Sequence, residues 1–496
     1  MSATLIPAYE ELKRRNARLY RFEHLIAIAS HDRATAMPAG GNDARAAAIA
    51  ELSLLIHTES TAADLGALLS AAEAEPLSEQ AQANLREMRL NHLFARAVPA
   101  RLVEAKSLAG ARCEHAWRTQ RQANDWKGFL ENFRDVLRLA REEALHLSDA
   151  LGLAPYDALI ERFEPGMRSA ELDRVFGDLR AWLPDLIRKV HLAQAPLPDL
   201  KGHFPREAQY ALSLEVMAKL GFDFDGGRLD ESAHPYTGGV PEDVRLTTRY
   251  TETDFAQSLN STIHETGHSL YEQGLPREWV DQPLGRARSM GIHESQSLFF
   301  EMQIARSEAF ARWLSPLVVE HFGPRPGFDP QSLYRYSTRV APGKIRVDAD
   351  ELTYPMHVIL RYEIERALIA GELEAEDIPA AWDEKMQSLL GIDTRGDYRD
   401  GCLQDVHWTD GSFGYFPSYT LGAMYAAQFF AAMRQSLPDV ETRIAAGDFS
   451  AINEWLKDAI WSQASRWETA DLVQLASGEA LNPAHFRAHL ERRYLG

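Results

Sequence analysis

The sequence predicts a mainly α-helical protein with one small β-sheet. Three observations carry this expectation. Apolar residues recur at helical spacing through roughly the first 200 positions of the chain. Strand signals are scarce and gather in one segment, Asp243–Tyr250. The last third of the chain returns to helical patterning. Hydrophobic residues make up 45% and charged residues 25% of the 496 residues, the composition of a globular protein. A chain of this length can bury a large core.

The elements follow in order. Leu12, Leu19, Phe22, Ile26 and Ile28 recur at about one helical turn near the start. Ala44 to Leu69 is rich in Ala, Leu and Glu, all good helix formers. Phe129, Phe133, Val136 and Leu139 step by four, three and three, which marks a core face. Ala195 to Pro205 holds three prolines and a glycine and reads as a loop. It separates an N-terminal helical portion (1–200) from the portion carrying the chemistry (201–496), within a single expected domain. In Asp243–Tyr250, Val244, Leu246, Thr248 and Tyr250 alternate with polar positions, as in a short half-buried strand. Gly323 to Pro330 is a second loop. Tyr354–Ala370 and Tyr419–Met433 read as helices.

Charge and cysteine content exclude several classes. Lys and Arg total 53 against 72 Asp and Glu, a net charge of −19. Such a surface repels nucleic-acid phosphates and anionic membranes. Cys113 and Cys402 are the two cysteines, too few for a disulfide framework or a thiolate-rich zinc site. A reducing cytoplasm fits. The start shows no secretory signal pattern, and no apolar run is long enough to span a bilayer.

His264-Glu265-Thr266-Gly267-His268 is an H-E-x-x-H motif. Phe255, Leu259 and Ile263 form an apolar i, i+4 stripe leading into it, so it belongs on a helix. Residues four apart share a helical face, and both imidazoles then reach one ion. Glu265 sits beside that ion as general base toward water. Gly267 costs about 1 kcal/mol against Ala inside a helix; a close approach of backbone or substrate would explain it.

Two histidines leave the site one protein ligand short of a catalytic zinc. Glu294, in Gly291-Ile-His-Glu-Ser-Gln-Ser297, lies 26 residues past His268. That gap suits a turn and a second helix packing back on the first. Glu272 and Glu278 are rival third ligands. The third histidine of the metzincin pattern is absent.

Four further segments are unusually polar: Ser232–Gly239, Asp243-x-Arg245-x-Thr247, Lys344–Pro355 and Gly401–Tyr419. Peptide hydrolysis at a metal develops an oxyanion that needs a His or Tyr donor. The last segment offers His407, Tyr415 and Tyr419. An exopeptidase working from the C-terminus must also hold a free carboxylate, which suits arginine. Arg346 and Arg245 are the candidates.

Taken in order, these segments resemble the carboxypeptidase Taq family of metallocarboxypeptidases. Five signatures match: Asp243-Val-Arg-Leu-Thr247, His264–His268, His293-Glu-Ser-Gln296, Ile345-Arg-Val-Asp-Ala-Asp350 and Gly401-Cys-Leu-Gln-Asp-Val-His-Trp408. A sixth, His-Pro-Phe, appears as His234-Pro-Tyr236.

The resemblance implies an elongated, almost wholly helical fold with a deep groove, like neurolysin and angiotensin-converting enzyme. It implies a homodimer, one divalent ion (zinc, with cobalt or manganese as substitutes), and peptide substrates with a free C-terminus. Single C-terminal residues would be released with broad specificity. It makes His264, His268 and Glu294 the metal ligands and Glu265 the base. His234, Arg245, Arg346 and His407 fall in signatures associated with the substrate groove. Tyr415 and Tyr419 lie in a stretch resembling the tyrosine-bearing segment of related helical peptidases. The alternatives are a helical oligoendopeptidase or dipeptidyl carboxypeptidase on the same scaffold, and a non-catalytic metal-binding protein. The intact Glu265 argues against the last.

Overall fold

The computed structural model describes residues 7–196, 200 and 202–496. The start of the chain and part of the expected Ala195–Pro205 loop lie outside the described residues. Helix follows helix from Ala8–Thr35 to Ser169–Ala193. The Trp126–Leu151 helix buries the expected stripe: Phe129, Phe133, Val136 and Leu139 all face the core. Asp125 caps its start by accepting from the Gly128 N–H, and Gly152 ends it in the left-handed region.

Two expectations need refinement. Ala44–Leu69 is not one helix but two, Asn42–Ser60 and Leu65–Glu73. The break falls where the Thr61 hydroxyl and N–H both turn back to the His57 carbonyl. Of the stripe near the start, Leu12 is buried while Leu19, Phe22, Ile26 and Ile28 are half-buried. The Asn42–Ser60 helix that packs nearby contributes no buried residue at all.

The expected strand is β3, Asp243–Thr248, flanked by β1 (Gly227–Glu231) and β2 (Thr237–Val240). Strand order is β1-β3-β2, with β1 parallel and β2 antiparallel to β3. Val244 and Leu246 are buried as the alternation predicts. Thr247 is buried too, because its hydroxyl bonds Ser232 Oγ and accepts from the Tyr236 N–H. Tyr250 lies beyond the strand.

The remaining helices relevant to the site are Phe255–Gly274, Met290–Leu298, Tyr354–Ala370, Pro417–Ser436 and Ala484–Leu495. Met290–Leu298 runs on into a π-helix, Phe299–Ala305. The main apolar cluster joins Phe133 and Leu183 from the first portion to Phe299, Trp408 and Met424 from the second. Among the described residues no helix is long and apolar enough to cross a membrane.

Candidate metal centre and active site

Asp254 starts the Phe255–Gly274 helix by accepting from the Ala256 and Gln257 N–H groups. Its buried stripe faces the core and turns His264 and His268 to one side. Their rings stand edge to face, 5.0 Å between centroids. Ser289 caps the Met290–Leu298 helix, which brings Glu294 up to them. Glu294 Oε2 lies 3.7 Å from His264 Nε2 and 3.3 Å from His268 Nε2. Ligand atoms of these three residues all fall within 4.8 Å of one another.

The helices approach closely because glycine stands at both contacts. A Cβ on Gly267 would meet the Gln296 carbonyl oxygen at 2.5 Å and Ser297 Cα at 2.7 Å. The approach that explains Gly267 is therefore that of a backbone. On the other side, a Cβ on Gly422 would meet Glu294 Cγ at 2.6 Å. The Met290–Leu298 helix is pinched between two others.

The outward nitrogens of the imidazoles are also engaged. His264 Nδ1 bonds Glu301 Oε2 at 2.8 Å, and His268 Nδ1 faces the His293 carbonyl at 3.1 Å. An acceptor at Nδ1 keeps the proton there and leaves the Nε2 lone pair pointing inward. This donor set, two imidazole nitrogens and one carboxylate oxygen, suits a divalent ion of the zinc class. Burial pushes His264 toward neutrality, but Glu294, Glu301 and Glu265 outweigh it and lift its pKa to about 10. A divalent cation competes with that proton for the same lone pair. Burial, with His293 and His264 nearby, holds His268 well below its ordinary value. Burial also raises Glu294. Glu301 resists burial because Arg306 and His264 pull its pKa down to about 2.

Of the rival ligands, Glu272 points away and bonds His293 Nε2 at 2.8 Å. Glu278 is exposed in a short 3-10 turn. Glu265 is anchored from the sheet. Thr237 Oγ1, on β2, donates to Glu265 Oε2 at 2.7 Å.

A second group gathers beside Glu294. Tyr419 lies one turn before Gly422 on the same helix. His407 Nε2 bonds the Tyr419 hydroxyl at 3.1 Å, and the Tyr415 and Tyr419 rings are 5.2 Å apart. Burial, then the Arg346 charge, lowers His407 to about 4, so the ring is neutral. Its Nδ1 has no partner among the described residues. Burial raises Tyr419 well above its ordinary value, which keeps the hydroxyl protonated. Arg346 stacks over the Tyr419 ring at 4.9 Å and is nearly buried. Its Nε donates to Asp405 Oδ1 at 2.9 Å and its Nη1 to the Tyr354 hydroxyl at 2.7 Å.

His234 and Arg245 lie on the sheet side. His234 is exposed, and Arg245 is held by Asp243 at 2.8 Å. Among the described residues no hydrogen bond or ion pair joins either to the three clustered ligands. Sequence reasoning did not single out Thr237, Glu301, Arg306 or Gly422. For Glu301 a signal existed: one glutamate after three apolar residues, seven past Glu294.

The family model for the carboxypeptidase Taq (M32) metallopeptidases matches residues 11–494. The chain belongs to that family. Membership makes it a metal-dependent carboxypeptidase, a hydrolase of peptides. This M32 carboxypeptidase is 39% identical to thermostable carboxypeptidase 1 of Thermus thermophilus, over 98% of each chain. It is 35% identical to carboxypeptidase 1 of Bacillus subtilis, over 96% of each. In structure it resembles metallocarboxypeptidase 1 of Trypanosoma cruzi, with a TM-score of 0.97, 47% identity and 99% coverage of both chains. The M32 helical fold with its three-stranded sheet is thus the expected one.

Proposed function

We propose that the chain releases single residues from peptides with a free C-terminus, using one zinc ion held by His264, His268 and Glu294. The convergence of the three ligand atoms is the observation that carries this reading. The ion, when bound, acidifies water and polarises the scissile carbonyl. Glu265, fixed by Thr237, takes the proton from the attacking water and returns it to the leaving amine. Tyr419, with Tyr415 and the neutral His407 beside it, donates toward the developing oxyanion. Arg346 supplies positive charge for the terminal carboxylate. Guanidinium has five N–H donors, and Asp405 and Tyr354 leave some of them free. Arg245 and His234 serve the outer part of the substrate path.

A single assay tests this. One peptide, with a free or an amidated C-terminus, is given to metal-stripped protein resupplied with zinc, cobalt or manganese. Release of single residues from the free acid only, lost in Glu265→Gln, is the expected result. Equal internal cleavage of both peptides would sink it.

We expect a homodimer in the cytoplasm. The Asn42–Ser60 helix supports pairing, since its exposed Leu54 and Leu55 leave apolar surface uncovered. Light scattering that gave a monomer would reject the pairing.

A further inference from the structure

The Phe299–Ala305 segment hydrogen-bonds as a π-helix, five residues back rather than four. Such a turn is rare and persists where its surroundings hold it. It has a use here. In an α-helix, residues five apart sit about 140° apart around the axis; the wider π turn brings them nearer one face. Glu301 and Arg306 are five apart, and Arg306 Nη2 donates to Glu301 Oε1 at 2.6 Å. The other oxygen of Glu301 takes His264 Nδ1. One carboxylate thus joins a guanidinium to a candidate ligand because the turn is wide.

The Ala484–Leu495 helix supplies the hold. Arg493 Nη1 donates to the Met302 carbonyl at 2.5 Å, and Nη2 to the Gln303 carbonyl at 3.4 Å. Both carbonyls belong to the π-helix. Arg493 is itself locked from behind. Its Nη1 pairs with Glu351 Oε2 at 2.9 Å. Glu351 is buried and also accepts from His489 Nε2 at 2.6 Å and the Tyr494 hydroxyl at 3.0 Å. Glu351, braced by His489 and Tyr494, therefore fixes one guanidinium from outside the π-helix against two of its carbonyls.

We infer that Arg493 is a positioning residue for the metal centre: it maintains the π turn that seats Glu301 against His264. The inference rests on His264 being a metal ligand. Arg493 touches neither the ligand atoms nor the substrate, so it acts through the backbone of the turn.

The test uses the full chain and two readouts, the zinc dissociation constant by chelator competition and the thermal midpoint by circular dichroism. The variants are Arg493→Met, Arg493→Lys, Glu301→Gln, the Arg493→Met/Glu301→Gln double, and Arg487→Met. Arg487 lies on the same helix but pairs with Glu491 and stacks over Trp182, so it controls for general loosening. Glu301→Gln and Arg493→Met should each weaken zinc by about 10- to 100-fold. The double should be no weaker than Glu301→Gln alone, because both act on one contact. Arg487→Met should leave zinc unchanged. Arg493→Lys keeps the charge facing Glu351 but reaches one carbonyl at most. It should fall between, and it serves where the methionine variant fails to fold.

A folded Arg493 variant with a lower midpoint and normal zinc affinity would overturn the inference, as would full additivity in the double. If Glu301→Gln keeps normal affinity while His264→Ala abolishes binding, the metal reading stands and this inference falls. If the unmodified chain binds no zinc, the metal reading fails first and takes this inference with it.

Discussion

Thr237 is the residue that gives Glu265 one orientation. Its hydroxyl donates to both the carboxylate and the main-chain carbonyl of Glu265. A hydrogen bond to a charged group contributes about 1.5–3 kcal/mol, so Thr237→Val should lower kcat by roughly 10- to 100-fold. Zinc affinity should not change, since Thr237 touches no ligand; chelator competition beside steady-state rates would show it. Tyr419→Phe removes the hydroxyl that His407 steadies, and kcat should fall by roughly 100- to 1,000-fold with KM nearly constant. An unchanged kcat would remove Tyr419 from the oxyanion role. The histidine pair was legible in the sequence because four-residue spacing is a property of the helix itself. Glu301 was legible only as a glutamate seven past Glu294; its pairing with Arg306 was not, because that depends on a π turn that periodicity does not reveal. Thr237 was hidden for a different reason: β2 is four residues long and half glycine, with no alternation to read.

At the scale of elements, ligand geometry depends on how closely three helices cross. Gly422→Ala would drive a methyl group into Glu294. Overpacking of this kind costs about 1–3 kcal/mol, and the shift should also weaken metal binding. Denaturant midpoints and zinc titration of the same variant would separate the two effects; full zinc affinity would mean that the Met290–Leu298 helix slides without moving its carboxylate. The stripe in Trp126–Leu151 was readable because that helix is long and strongly patterned, whereas Tyr354–Ala370, buried on most of its faces, was readable as a helix but showed no single apolar face. β1 escaped because Gly227-Arg-Leu-Asp-Glu is polar at most positions. The split of Ala44–Leu69 escaped because Thr-Ala-Ala-Asp carries no proline or glycine.

Across the whole molecule, buried carboxylates set the dependence of stability on pH. Burial opposes ionisation of Glu351 and Asp405, but Arg493 and His489 at the first, and Arg361 and Arg346 at the second, hold both well below the usual range. A depressed carboxylate stabilises the fold above its unfolded value, so this contribution is lost as pH falls below about 4. Glu164 and Glu365 behave oppositely. Burial, only partly offset by the Gly291 and Gly414 N–H groups, pushes each up to about 7. Their contribution is complete below about 4.3 and fades as pH rises through 7. Unfolding free energy should therefore decline on both sides of mildly acidic pH. Glu164→Gln, which keeps an acceptor for the Gly291 N–H, should flatten the decline between pH 5 and 8; an unaltered slope in urea titrations would contradict the assignment. The backbone contact at Gly267 bears on the molecule in another way. Hydrostatic pressure unfolds proteins by eliminating internal voids, and where main chains meet without intervening side chains there is little void to eliminate. The ligand-bearing crossing should be the least compressible region of the chain, the last to admit water as pressure rises.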